Sequence, residues 1–198
     1  MTGLRERKKQ QTLEALSWAA LHLAVERGLD NVRVEDIAAE AGVSPRTFNN
    51  YFASKAEAIT WRHLNRARQT ADLIRERPKD EPLWESIIEA VLAHAGGEHD
   101  DPDPQWTARV RLMLTEPALI GEYLKAGAQA EQACAAAIAE RTGTEPTDMY
   151  PRLAAAAIGA ANQTANEQWL RADPPVPLAP LLREALRQIA GGLPDPPA

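Results

Sequence analysis

Between residues 34 and 52, apolar or small side chains fall at Val34, Ile37, Ala38, Ala41, Val43, Phe48, Tyr51 and Phe52. The spacing follows the 3.6-residue rhythm of a helix and breaks once, at Gly42. It predicts two short helices joined by a tight turn. Gly42 supplies the positive φ that such a turn needs, and Ala38 lets the helices approach closely. Ser44 is placed to cap the second helix, and Pro45 suits its first position. This is a helix-turn-helix pattern, and its second helix is expected to enter a DNA major groove.

The helical rhythm extends over the rest of the chain. Alternating apolar and polar runs are missing, and β-branched residues are sparse beside Ala, Leu, Glu and Arg, so the fold class is all-α. A first helix is predicted from about Leu4 to Arg27, ended by Gly28. Leu13, Leu16, Ala20 and Leu23 form its apolar stripe, which Trp18, Leu21 and Val25 widen. Ser54-Lys55-Ala56-Glu57 reads as a capping box opening a fourth helix that runs to Glu76, with Ile59, Leu64, Ala67, Ala71 and Ile74 facing inward. The breaker Arg77-Pro78-Lys79-Asp80-Glu81-Pro82 is the best candidate boundary.

Further helices are predicted at Leu83–Ala95, Gln105–Leu114, Pro117–Arg141, Pro146–Leu170 and Leu178–Ala190. An exposed acidic loop at 96–104 and a mobile Pro-rich tail at 193–198 complete the chain. About nine helices result, divided into a helix-turn-helix domain (1–53), a connecting helix (54–77) and a larger helical domain (78–198) for ligand binding and dimerisation.

Charge sharpens this division. The net formal charge is −6, which by itself speaks against DNA binding. Yet residues 1–77 carry 13 Lys/Arg against 10 Asp/Glu, and residues 78–198 carry 9 against 18. The predicted reading head lies in the basic part, as phosphate neutralisation requires, and the acidic remainder is suited to another task. No apolar run reaches the roughly 18–20 residues of a membrane span, and no apolar segment follows the N-terminal charges as in a secretory leader. Cys134 is the only cysteine, so no internal disulfide forms. These features fit a reducing cytoplasm.

The long first helix, the motif Ile37-Ala38-Ala39-Glu40-Ala41-Gly42-Val43-Ser44, then Thr47-Phe48 and Tyr51-Phe52 followed by Ser54-Lys55, resemble the TetR family of transcriptional regulators. The segment Arg109–Leu119 further resembles the ligand domain of mycofactocin-type regulators, which implies an acyl-CoA-like or other hydrophobic effector. Two departures stand out. The hydroxyl residue that often caps the second helix in this family is replaced at Val32 and Arg33, where Arg33 can reach a phosphate but cannot cap. Asn49-Asn50 stand where an aromatic and a basic or aromatic residue are common.

On this reading Pro45, Arg46, Thr47, Asn49 and Asn50 face base edges. Arg46 suits guanine O6/N7, either Asn suits adenine N6/N7, and the Thr47 methyl suits a thymine methyl. Ser44, Tyr51, Lys55 and Arg33 are the phosphate candidates, Lys55 from the first turn of the fourth helix. Packing against the first helix is the alternative for Tyr51. Arg5, Arg7, Lys8 and Lys9 either follow the DNA backbone or form a disordered tail.

In the acidic part, Trp84, Ile87, Trp106, Val110, Met113, Tyr123 and Asn162 are candidate effector contacts, with plain core packing as the alternative. Asn162 and Asn166 share a helix face that marks either a pocket wall or a subunit seam. The small residues of Leu153–Ala161, with Leu178, Leu181, Leu182, Ala185, Leu186 and Ile189, predict a four-helix homodimer interface. Such a dimer matches a palindromic operator on double-stranded DNA.

Catalytic patterns do not appear. His22, His63, His94 and His99 form no metal-type pair, and neither a phosphate loop nor a nucleophile elbow is present. No cofactor is expected. His94 reads as a satisfied, half-buried histidine, and Cys134 as packing, with a redox sensor as its alternative. The expected function is a ligand-released homodimeric repressor. A ligand-dependent activator and a non-specific DNA-binding structural protein are the alternatives.

Overall fold

A computed structural model describes residues 2–95 and 104–193, and the side chains of 3–95 and 107–193. The described residues form α-helices and one short 3-10 turn, without strands. The helices are α1 (Thr2–Arg27), α2 (Val34–Glu40), α3 (Pro45–Tyr51), α4 (Lys55–Glu76), α5 (Leu83–Leu92), α6 (Pro104–Thr115), α7 (Pro117–Thr142), α8 (Met149–Arg171) and α9 (Leu178–Ala190). Of the predicted acidic loop at 96–104, residues 96–103 lie outside the described residues, as does the tail beyond Leu193, and Pro104 opens α6.

Helix ends follow local chemistry. Gly28 adopts φ +79° after α1. The Ser54 hydroxyl accepts from the Glu57 N–H at 3.0 Å, while the Glu57 carboxylate reaches back to the Ala53 N–H at 2.7 Å. The capping box is therefore present, with its return bond one residue earlier than the motif specifies. α8 starts at Met149 rather than Pro146. The Asp148 carboxylate accepts from the Glu145 N–H at 3.0 Å and holds residues 145–148 as a turn. α5 stops at Leu92, and the Ala95 N–H bonds the Leu92 carbonyl three residues back.

The chain divides into two compact units, residues 1–64 with 108–126, and residues 65–107 with 127–198. In the first, Leu16, Leu23, Ile37, Phe48 and Ile59 are buried in one cluster with Leu119, and Leu112 and Met113 pack against it. The start of α7 thus belongs to the core of the helix-turn-helix head, a pairing across some 60 residues that no local pattern announces. Trp18 of α1 lies beneath two guanidinium groups, Arg109 at 3.9 Å and Arg62 at 4.7 Å from the ring centroid. Burial and the neighbouring Arg109 charge lower the Arg62 pKa, and Glu14 partly opposes them.

In the second unit α8 packs along α9, and α5 packs on α9 with Arg183 and Glu89 paired at 2.9 Å. Ile87, Ile88, Ile138, Leu182 and Leu186 are fully buried there. The end of α4 is fastened by Arg141 of α7. Its guanidinium donates to the carbonyls of Arg77 (2.8 Å), Pro78 (2.9 Å) and Glu81 (3.1 Å). The predicted breaker at 77–82 is therefore an ordered joint. Arg77 pairs with Glu81, and the Ser86 hydroxyl donates to the Glu81 carboxylate at 2.6 Å. These donors hold the Glu81 pKa down at about 2.

Candidate nucleic-acid interface

The turn between α2 and α3 is closed by two backbone bonds. The Val43 N–H donates to the Ala38 carbonyl at 2.9 Å and the Gly42 N–H to the Ala39 carbonyl at 3.1 Å. This pairing is the Schellman closure, and it needs the left-handed residue that Gly42 provides at φ +69°. α3 then starts on Ser44, whose hydroxyl accepts from the Thr47 N–H at 3.1 Å, with Pro45 in the first turn.

α3 is divided cleanly between inside and outside. Phe48 is 0% exposed and Phe52 2%, their rings 5.8 Å apart, and the Trp61 ring meets Phe52 edge-on at 6.3 Å. Ser44, Pro45, Arg46, Asn49 and Asn50 are exposed on the other side. Two hydrophobic anchors thus fix the rotation of a seven-residue helix that could not hold its shape alone. Thr47 is half-buried, its hydroxyl 2.9 Å from that of Ser44, which ties both hydroxyls into the cap. Tyr51 is half-buried and packs against the head's core cluster.

One further candidate, Lys55, sits differently from the sequence expectation. Lys55 does not extend outward from α4. Its ammonium donates to the carbonyls of Leu29 at 2.5 Å and Val32 at 3.1 Å, closing the segment that links α1 to α2. The Leu29 carbonyl also accepts from the Val32 N–H at 3.3 Å in the short 3-10 turn, so the cation adds a second bond there and gives the Val32 carbonyl a donor. Arg33 is the N-cap residue of α2 and is exposed. The missing cap hydroxyl is compensated from the other direction, because the Asp36 carboxylate accepts from the Arg33 N–H at 3.0 Å. Arg5, Arg7, Lys8 and Lys9 are exposed residues of α1, helical rather than a disordered tail.

A short cationic and amide-bearing helix, anchored by buried aromatics and preceded by a tight glycine turn, is a reading head for a DNA groove. Comparison with known proteins agrees. Residues 18–58 match the family model described as bacterial regulatory proteins, tetR family, and residues 81–194 match that of the MftR C-terminal domain. The chain belongs to the TetR family. It is 33% identical over 178 residues to the HTH-type transcriptional regulator TcmR of Streptomyces glaucescens, covering 86% of this chain and 79% of TcmR. It is 30% identical over 191 residues to the protein of Mycobacterium tuberculosis (strain ATCC 25618 / H37Rv) named as mycofactocin biosynthesis transcriptional regulator MftR, covering 94% and 93%. Among solved structures it resembles Thermus thermophilus FadR, a TetR-family repressor in complex with lauroyl-CoA, at a TM-score of 0.53 and 18% identity, covering 94% of this chain and 97% of FadR. As a TetR-family member the chain is a DNA-binding transcriptional regulator rather than an enzyme.

The candidate effector residues of this TetR-family chain fall in both compact units. Val110, Met113 and Tyr123 lie in the first; Trp84, Ile87 and Asn162 lie in the second. The Trp106 side chain is outside the described residues. Ile87 is 0% exposed and Val110 5%, whereas Trp84, Met113 and Tyr123 are half-buried. The Tyr123 ring lies 4.8 Å from that of His63, and burial raises its pKa. The Asn162 amide donates to the Ile158 carbonyl at 3.0 Å and the Asn166 amide to the Asn162 carbonyl at 2.8 Å, each one turn back on α8. Cys134 is buried, and desolvation pushes its thiol up to about 11. Among the described residues no helix is long and apolar enough to cross a membrane, and no His/Cys/Asp/Glu group would hold a metal ion.

Sequence reasoning missed Arg141, Arg62 and Arg109 as organising side chains. Their partners lie 44 to 91 positions away, and no periodicity carries that information.

Proposed function

We propose that this TetR-family regulator is a ligand-released homodimeric repressor of a palindromic operator. The observation that carries this reading is the exposed row Pro45, Arg46, Asn49 and Asn50 on α3, fixed outward by the buried Phe48. Arg46 and the two amides are the donors and acceptors that discriminate base pairs in a major groove. Ser44, Tyr51 and Arg33 are the phosphate partners. Lys55 acts from beneath, by setting the loop that presents Arg33. Residues 1–53 carry the reading function, 54–77 connect, and 78–198 carry the effector and dimer functions, with 108–126 packed in the same compact unit as the head.

A half-covered apolar face supports the dimer. On α8, Met149 is 73% exposed and Leu153 60%, and the small residues Ala156 and Ala160 continue the stripe outward. On α9, Leu178, Leu182 and Leu186 are buried within the chain, while Leu181, Ala185 and Ile189 beside them are only half covered. Pairing α8 and α9 with their copies removes both stripes from water and gives the two-fold symmetry that a palindrome demands.

The effector is an acyl-CoA-like or otherwise hydrophobic molecule. The match of residues 81–194 to the MftR C-terminal domain, and the lauroyl-CoA held by FadR on a similar fold, support this class. Release requires that the effector bind the non-operator conformation more tightly. Selection of random duplexes by the full-length protein tests the reading. An inverted repeat should emerge, and its complex should dissociate on adding acyl-CoA esters. Retention of duplexes without any sequence preference would refute it.

A further inference from the structure

Trp18 keeps 41% of its surface exposed, and its ring is met by two guanidinium groups from distant helices, Arg109 of α6 at 3.9 Å and Arg62 of α4 at 4.7 Å from the centroid. All three residues belong to the same compact unit. Arg109 is nevertheless only 7% exposed, and no other charged side chain among the described residues is buried to this degree.

Stability alone does not account for this arrangement. Removing a guanidinium from water is costly, and an apolar side chain of similar volume often serves a buried site as well or better. Two cations on one ring also repel each other, and Arg109 contributes to the lowered pKa of Arg62. The carboxylate of Glu14, one turn before Trp18, partly offsets this charge and is itself held by the Gln10 amide at 2.8 Å.

What the stack does supply is direction. A planar guanidinium over an indole fixes orientation as well as distance, so α4 and α6 grip α1 at one defined point. On the opposite side of α1, Leu16, Ala20 and Leu23 are buried in the cluster that holds Phe48 of α3. Phe48 in turn sets the rotation of the exposed Arg46, Asn49 and Asn50. One side of α1 is therefore held by the stack, and the other carries the anchor of the reading helix.

We propose that Arg109 is a positioning residue for DNA reading: its stack on Trp18, with Arg62 alongside, holds α1 and hence α3 in the placement that meets the groove. The proposal goes beyond the repressor reading above. It requires the DNA binding of a TetR-family regulator, and neither the homodimer nor effector release.

The test uses full-length protein and the duplex that the wild type selects from a random pool. Arg109→Met keeps the aliphatic stem and removes the cation. Its affinity for that duplex should fall about 5- to 30-fold, the equivalent of one cation–π contact. Its melting temperature should stay the same or rise, because the buried charge is gone. The slope of log K against log salt should not change, since so buried a group meets no phosphate. Arg109→Lys, which keeps a cation for the ring, should recover most of the affinity. Trp18→Phe, which keeps a weaker aromatic face, should cost less than Trp18→Leu. Trp18→Leu combined with Arg109→Met should lose no more than either change alone, because both remove one contact. Unchanged affinity in Arg109→Met, additive losses in the double variant, or losses that only follow a falling melting temperature would overturn the proposal. If the wild type selects no sequence, the repressor reading fails, and the affinities of the same variants for a mixed-sequence duplex still decide the role of Arg109.

Discussion

The Arg141 guanidinium donates to the Arg77 carbonyl at 2.8 Å, fastening the end of α7 to the exit of α4. Two more carbonyls, of Pro78 and Glu81, complete the grip. One planar cation thus satisfies a helix end that would otherwise leave its last carbonyls to water. Arg141→Met keeps the aliphatic stem and removes the donors. It should lower stability to urea by about 1.5–3 kcal/mol, the range for a hydrogen bond involving a charged group, with an unchanged denaturant slope. An unaltered urea midpoint would show the joint to be incidental.

Arg46 is exposed at the start of the reading helix. Arg46→Ala should relax base preference at one position of each half-site, worth about 1–3 kcal/mol of discrimination. Selected binding sites compared between wild type and variant measure this directly. Preference preserved at every position would place α3 in a different register on the duplex.

Lys55 separates a structural role from a phosphate contact. Its ammonium already holds the Leu29 and Val32 carbonyls. Lys55→Met should therefore lower the melting temperature and weaken operator binding, yet leave the salt dependence of that binding unchanged. A lost phosphate contact would instead reduce the slope of log K against log salt by about one.

Leu153 lies on the uncovered stripe of α8 at 60% exposure. Leu153→Glu should convert a dimer to a monomer in light scattering while preserving helical circular dichroism. Loss of operator affinity should follow, because one head reads only a half-site.

Acid should expose the Arg77–Glu81–Ser86 network. The Glu81 pKa is held at about 2, chiefly by the Arg77 hydrogen bond and then by Ser86. A carboxylate with a depressed folded-state pKa adds stability above its ordinary value near 4.5, and this is lost as pH falls toward 2. Glu81→Gln should flatten the fall in melting temperature across that window. A profile parallel to wild type would contradict it.

The sequence determined every element whose cause is local. The 3.6-residue apolar rhythm defined the helices, Gly42 and Ser44 defined the turn and the start of α3, and the exposed Pro45, Arg46, Asn49 and Asn50 followed from Phe48 pointing inward, whereas Thr47, expected among them, is half-buried beside the Ser44 cap. The start of α8 drifted where the Asp148 side chain competes with the backbone, and α5 ended early where the chain turns back onto the Leu92 carbonyl. Tertiary structure decided what depends on partners distant along the chain. Lys55 read as a surface cation until its ammonium met two carbonyls more than 20 residues upstream. Leu119 read as part of the acidic domain and is buried in the core of the head. His94 read as satisfied, yet its Nε2 is shielded from solvent and makes no hydrogen bond, because whether a polar atom finds a partner is set by what surrounds it in space. Periodicity records which face of a helix is apolar, but it carries no record of the neighbour that the face will meet.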